Sequence, residues 1–87
     1  MDIRISIEYC TSWGYLDEAV SLTQKLLKEH KNKIMTLSLI PSSGGVFEVK
    51  LNDALIFSKA KEGRKPGLGE VESMVRSQMG IEAPFGL

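Results

Sequence analysis

Scarcity narrows the chemistry of this sequence before any motif is sought. It holds one cysteine, one histidine and one tryptophan among 87 residues. A single cysteine excludes a disulfide framework within the chain, and one histidine beside it leaves too few ligands for a Cys/His structural zinc site, so no metal is expected. Neither sign of charge is in excess, with Lys+Arg and Asp+Glu both at 11. No global field therefore draws the protein to nucleic acid or to anionic lipid. A basic, aromatic-studded strand face that could stack bases is also missing. No stretch approaches the run of about 20 apolar residues needed to span a bilayer. Met1 leads directly into charged, alternating sequence rather than the apolar segment of a signal peptide. These absences point to a reduced, cytoplasmic setting and to a function seated in one local site. The length suits a single domain, 1–87, with one modest core.

Against that background, Ile3–Tyr15 (IRISIEYCTSWGY) organises the rest. Ile3, Ile5 and Ile7 alternate with Arg4, Ser6 and Glu8, the period of a strand with one buried and one wetter face. A short turn holding Cys10 follows, and then a helix predicted over residues 14–30. Thr11 or Ser12 is the expected N-cap. Asp17 and Glu18 fall near the positive end of the helix dipole, and Lys28, His30, Lys31 and Lys33 near the negative end. Leu16, Ala19, Val20, Thr23, Leu27 and His30 recur at helical spacing, with Leu22 and Leu26 widening the stripe expected to face the core. His30 reads as a helix-end cation or a partly packed residue, about 24 Å along the helix from the cysteine and too distant to be its base. The adjacent Asp17 and Glu18 point in different directions and make no acid/base couple.

A second strand is expected at residues 34–40, with Met35, Leu37 and Leu39 opposite Thr36 and Ser38. The stretch Pro41–Gly45 reads as a plain loop, since its glycines lack the Lys-Ser/Thr of a phosphate loop. Strands at 46–51 and 54–58 flank Asn52-Asp53, a two-residue hairpin turn whose side chains tolerate left-handed backbone. Residues 59–67 (KAKEGRKPG) form a basic Gly/Pro loop. A last helix at 68–79 is expected to bury Leu68, Val71, Val75 and Met79, with Ile81 and Phe85 of the tail docking on the domain. The order is β-α-β-β-β-α. Because the strands alternate rather than run continuously apolar, one sheet face should be polar and open. The fold expected is an α/β two-layer sandwich, a four-stranded mixed sheet with both helices on one face, its first βαβ unit a right-handed crossover.

Cys10 is the candidate nucleophile. At a strand-to-helix junction the first N–H groups of the helix lack intrahelical partners and stabilise a thiolate. Thr11, Ser12 and Gly14 would shape the turn, and Trp13 is expected to point outward. An exposed, reactive thiol is the reading favoured over a buried, inert one. Lys59, Lys61, Arg64 and Lys65 are a candidate contact for an anion or an acidic partner, helped by the start of the last helix.

These residues also carry a family resemblance. Tyr9-Cys10, Gly14-Tyr15, Gly45-Val46-Phe47-Glu48-Val49, Leu55-Ile56-Phe57-Ser58-Lys59 and Gly67-Leu68-Gly69, in this order, resemble the selenoprotein W-like (Rdx) family of thioredoxin-like proteins. That resemblance implies redox chemistry at a Cys-x-x-Cys or Cys-x-x-selenocysteine turn. Here the second redox position is Trp13, so an intramolecular dithiol cycle cannot run. Three readings remain. Cys10 works alone, with glutathione as co-substrate or a protein as partner; codon 13 is a UGA for selenocysteine read as tryptophan, an idea that TGG would end; or the chain is a redox-silent binding module using Trp13, the Pro41–Gly45 loop and the open sheet face. A homodimer is a further expectation, through the lone thiol or an unpaired strand edge.

Overall fold

The computed structural model describes residues 2–80. Its elements are β1 (Ile3–Cys10), α1 (Tyr15–His30), a single 3₁₀ turn (Lys31–Lys33), β2 (Ile34–Ser42), β3 (Phe47–Leu51), β4 (Ala54–Ser58), α2 (Lys59–Glu62) and α3 (Glu70–Gln78). The four strands form one mixed sheet in the order β2-β1-β3-β4. β1 pairs parallel with β2 and antiparallel with β3, so the isoleucine-rich strand is central. Ile3, Ile5, Ile7 and Tyr9 are buried, as the period-two pattern requires. They meet Ala19, Leu22 and Leu26 of α1, Phe47, Val49 and Leu51 of β3, and Val71 and Val75 of α3 in one core. The architecture is the α/β sandwich expected from the alternation.

The hairpin between β3 and β4 forms at Asn52-Asp53, with φ of 49° and 73°. Asn52 also fastens the hairpin to β1. Its Oδ1 accepts from the Arg4 N–H at 2.7 Å, its own N–H donates to the Arg4 carbonyl at 2.8 Å, and its Nδ2 donates to the Asp2 carbonyl at 2.9 Å.

Several expectations are corrected by the structure. The N-cap of α1 is Gly14, with φ 74° and no side-chain cap, rather than Thr11 or Ser12; those two remain in the turn that precedes it. The buried face of α1 is Tyr15, Ala19, Leu22, Leu26 and His30. Leu16, Val20 and Leu27 lie exposed instead. Of the two expectations for His30 the packed one holds, and more fully than expected: it is 3% exposed, and its Nε2 has no hydrogen-bond partner. In β2 a register shift places Ile34 beside Ile3 but Thr36 beside Arg4. The extra residue, Met35, therefore turns outward, while Ile34 is buried and Leu37 and Leu39 pack partly against the core.

The basic loop is not all loop. Ser58 starts α2 by accepting from the Lys61 N–H at 3.1 Å, and Glu48 of β3 supports that turn by accepting from the Ser58 hydroxyl and the Ala60 N–H. The last helix begins later than expected, because Gly69 adopts φ 77° as its N-cap. Leu68, outside the helix, is 97% exposed rather than buried. The expected docking of Ile81 and Phe85 lies outside the described residues.

Candidate functional site

Cys10 closes β1, and two adjacent residues, Tyr9 and Cys10, are both buried there, which breaks the strict alternation of the strand. The chain ends its strand and passes through the turn Thr11–Gly14 into α1. Gly14 makes that passage possible, since its φ of 74° is strained for any residue carrying a Cβ. The loop between β2 and β3 closes the other side. The Cys10 N–H donates to the Val46 carbonyl at 2.9 Å, and the Thr11 N–H donates to the Ser42 carbonyl at 3.1 Å. Gly44 and Gly45, with φ of 79° and 72°, supply the left-handed bend that brings this loop against the turn.

The thiol is 1% exposed, so the expected open sulfur is not what the fold presents. Yet its surroundings are not those of an inert core cysteine. The pKa is lowered from an ordinary 9.0, chiefly by the backbone N–H of Ser12. Burial acts against this, whereas the N–H groups of Gly45 and Trp13 and the Ser12 hydroxyl add to the lowering. Three backbone donors around one sulfur form a small anion-binding concavity of the kind that successive N–H groups make in turns.

Trp13 lies beside this pocket and is 61% exposed. One edge of its indole rests on Gly45. A Cβ built there would sit 2.7 Å from Trp13 Cζ3, so only glycine admits the ring. The indole meets Tyr15 edge-on at 5.9 Å between centroids, and Tyr15 meets Phe47 at 6.0 Å, a chain of aromatic contacts from surface to core. Lys59 Nζ sits 5.2 Å from the centre of the Trp13 ring.

The structure thus gathers Cys10, Thr11, Ser12, Trp13 and Gly14 with Lys59. The other basic residues are differently engaged. Arg64 forms a two-pronged pair with Glu70 at 2.8 and 3.0 Å. The Arg64 guanidinium and the Gly67 N–H hold the Glu70 carboxyl down at about 2, from an ordinary 4.5. Lys65 pairs with Glu18 at 2.7 Å and lies over Tyr15. Lys61 makes no ion pair among the described residues. Gly45, named in the sequence only as part of a loop and of the family resemblance, enters the site through its N–H at the thiol, a role that sequence reasoning did not assign. Among the described residues no three His, Cys, Asp or Glu side chains gather as a metal site, and no helix is long and apolar enough to cross a membrane.

Comparison with known proteins follows the same outline. A crystal structure from Bordetella parapertussis superposes with a TM-score of 0.83 at 29% sequence identity, covering 90% of this chain and 99% of that one. A selenoprotein W-related protein from Vibrio cholerae gives 0.82 at 28% identity, covering 90% and 98%. No curated protein matches. The model of the Rdx family matches residues 4–77. Because the match to that family model runs over most of its length, this chain belongs to the Rdx family.

Proposed function

We propose that the protein carries out monothiol thiol–disulfide exchange at Cys10, with glutathione as co-substrate or a protein thiol as partner, in a reducing cytoplasmic setting. The observation that carries this reading is the set of backbone N–H donors from Ser12, Trp13 and Gly45 that lowers the thiol pKa. Family membership supports the coarser statement, a redox-associated thioredoxin-like protein.

In the proposed reaction the Cys10 proton passes to solvent and the thiolate attacks the glutathione sulfur of a mixed disulfide between glutathione and a protein partner, so that the full cycle converts that disulfide and one glutathione to the free protein thiol and oxidised glutathione. A Cys10–glutathione S–S bond forms, the original S–S bond breaks, and the departing thiolate takes up a proton. A second glutathione thiolate then attacks the glutathione sulfur of the Cys10–glutathione disulfide and returns Cys10 to its reduced form. No second chalcogen is needed within the chain, consistent with tryptophan at position 13. Because the sulfur is covered at rest, the exchange requires the turn to open. Trp13, exposed and in contact with Gly45, Tyr15 and Lys59, is the side chain proposed to move when the sulfur is uncovered.

The test is the pH dependence of alkylation by iodoacetamide, read by intact mass alongside incubation with oxidised glutathione. The expected result is half-maximal reactivity below the ordinary 9.0 of a cysteine, with a single glutathione adduct lost on adding reduced glutathione. A folded protein that forms no adduct and alkylates only at or above that value overturns the reading. A second reading has its own observation: the broad exposure of Trp13 and the cation above its ring suit a partner-docking module. It predicts partner capture that is lost in Trp13→Ala and unchanged in Cys10→Ser.

A further inference from the structure

β2 is an edge strand of nine residues, and no residue of Ile34–Ser42 is charged. The opposite edge, β4, has five residues and a register shift in its pairing. Edge strands that stay unpaired are normally blunted by charge, shortness or bulges, because their free N–H and C=O groups invite another strand. The edge of β2 is bounded by irregularities at both ends, the bulge at Met35 and Pro41. Between them runs a regular, uncharged stretch, Thr36–Ile40, centred on Ser38.

A second centre lies on α1. Its exposed apolar residues Leu16, Val20 and Leu27, with partly buried Thr23, form a face beside the buried one. Leu16 and Leu27 are equidistant from a point between Ser21 and Leu22, and so are Val20 and Thr23. That point stands about 13 Å from the C-terminal end of the helix at 1.5 Å per residue. Ser38 stands about 13 Å from the start of β2 at 3.3 Å per residue. Since α1 ends where β2 begins, save for one 3₁₀ turn, the two centres sit at the same height on the molecule.

We infer that this protein forms a homodimer by antiparallel pairing of β2 with β2 about a two-fold axis through Ser38, perpendicular to the sheet. The axis sets Leu37 of one copy opposite Leu39 of the other, and Thr36 opposite Ile40. It joins two four-stranded sheets into one of eight strands. α1 packs over β1 and β2, about 5 Å from the axis, so the two α1 helices run antiparallel at about 10 Å, the upper end of ordinary helix packing distances. Leu16 of each copy then faces Leu27 of the other. The N-terminal end of each α1 comes alongside the C-terminal end of the other, a complementary arrangement of helix dipoles. A sequence symmetric about one point on the strand and one point on the helix suits a copy of itself better than an unrelated strand.

Sedimentation equilibrium tests this. The expected species has twice the 9.6 kDa chain mass. Val20→Glu, on an exposed helix position, is expected to keep the far-UV CD spectrum and weaken the dimer about tenfold or more, or 1.4 kcal/mol. A spin label at Ser38→Cys in the Cys10→Ser background should show a short distance to its copy, and one at Lys50→Cys a much longer one. A monomer at all accessible concentrations, a dimer indifferent to Val20→Glu, or distant Ser38 labels would each overturn the inference. Capture of an unrelated strand by a monomer belongs to the first of these outcomes.

Discussion

The two ends of α1 each bury one side chain of chemical interest, Cys10 just before the helix and His30 at its last residue, and the two burials are of opposite kinds. Cys10 is surrounded by N–H groups whose geometry comes from a tight turn and a paired-glycine bend. His30 is buried with Nε2 unpartnered, 4.0 Å from Glu29 Oε1 and beyond hydrogen-bond reach. Fractional exposure is nearly the same at both. The company differs: backbone donors surround the sulfur and favour its anion, whereas the buried imidazole nitrogen has no hydrogen-bond partner. Burial by itself therefore says little about reactivity, and what the backbone offers to the buried atom decides the matter.

The comparison is broken most directly at Trp13. If the indole is what covers a poised thiolate, Trp13→Ala should raise the rate of Cys10 alkylation at neutral pH by about tenfold or more, roughly 1.4 kcal/mol of barrier, while Cys10→Ser abolishes labelling. An unchanged rate would mean that the backbone of the turn, not the ring, controls access. His30→Leu makes the complementary change. Removing a buried nitrogen without a partner should raise stability by about 1 kcal/mol, measured by urea denaturation. A loss instead would show that the ring fills space that leucine cannot.

How much of this was legible in the sequence follows the same division. Backbone-local features were readable: the alternation of β1, the Asn52-Asp53 hairpin, the order of elements, and the thiol at a strand-to-helix junction. Properties that depend on which face wins were not. α1 carries apolar residues over a continuous arc of nearly half its circumference, so period alone could not separate the stripe of Tyr15, Leu22 and Leu26 from that of Leu16, Val20 and Leu27. Leu68 looked like the first core residue of α3 because the helix start at Gly69 is a glycine conformation rather than a capping side chain. The surroundings of Cys10 depend on the distant β2–β3 loop, whose Gly45 N–H reaches the sulfur and whose Val46 carbonyl accepts from the Cys10 N–H.

A smaller effect separates the thiol site from the ion pairs on the same surface. Glu70 has its carboxyl held at about 2 in the fold against an ordinary 4.5. A depressed acid contributes stability that is present above the higher value and lost as pH falls toward the lower. Denaturation followed from pH 5 down to about pH 2 should show this decline, and Glu70→Gln should flatten it, with no change in Cys10 alkylation near neutrality. The pair is partly solvated, which keeps the effect modest.

The smallest change probes the origin of the lowered thiol pKa. The Ser12 N–H is the largest influence on the sulfur and the Ser12 hydroxyl the least. Ser12→Ala deletes the hydroxyl and keeps the N–H, so the midpoint of the alkylation profile should move up only slightly and stay below 9.0. A return to the ordinary cysteine value would place the stabilisation in one side chain. A near-unchanged midpoint assigns it to main-chain donors held by Gly14 and Gly45, which explains how the site persists in a chain whose second redox position holds tryptophan: the thiolate depends on the path of the backbone, and the residue at position 13 lends it an N–H whatever its side chain.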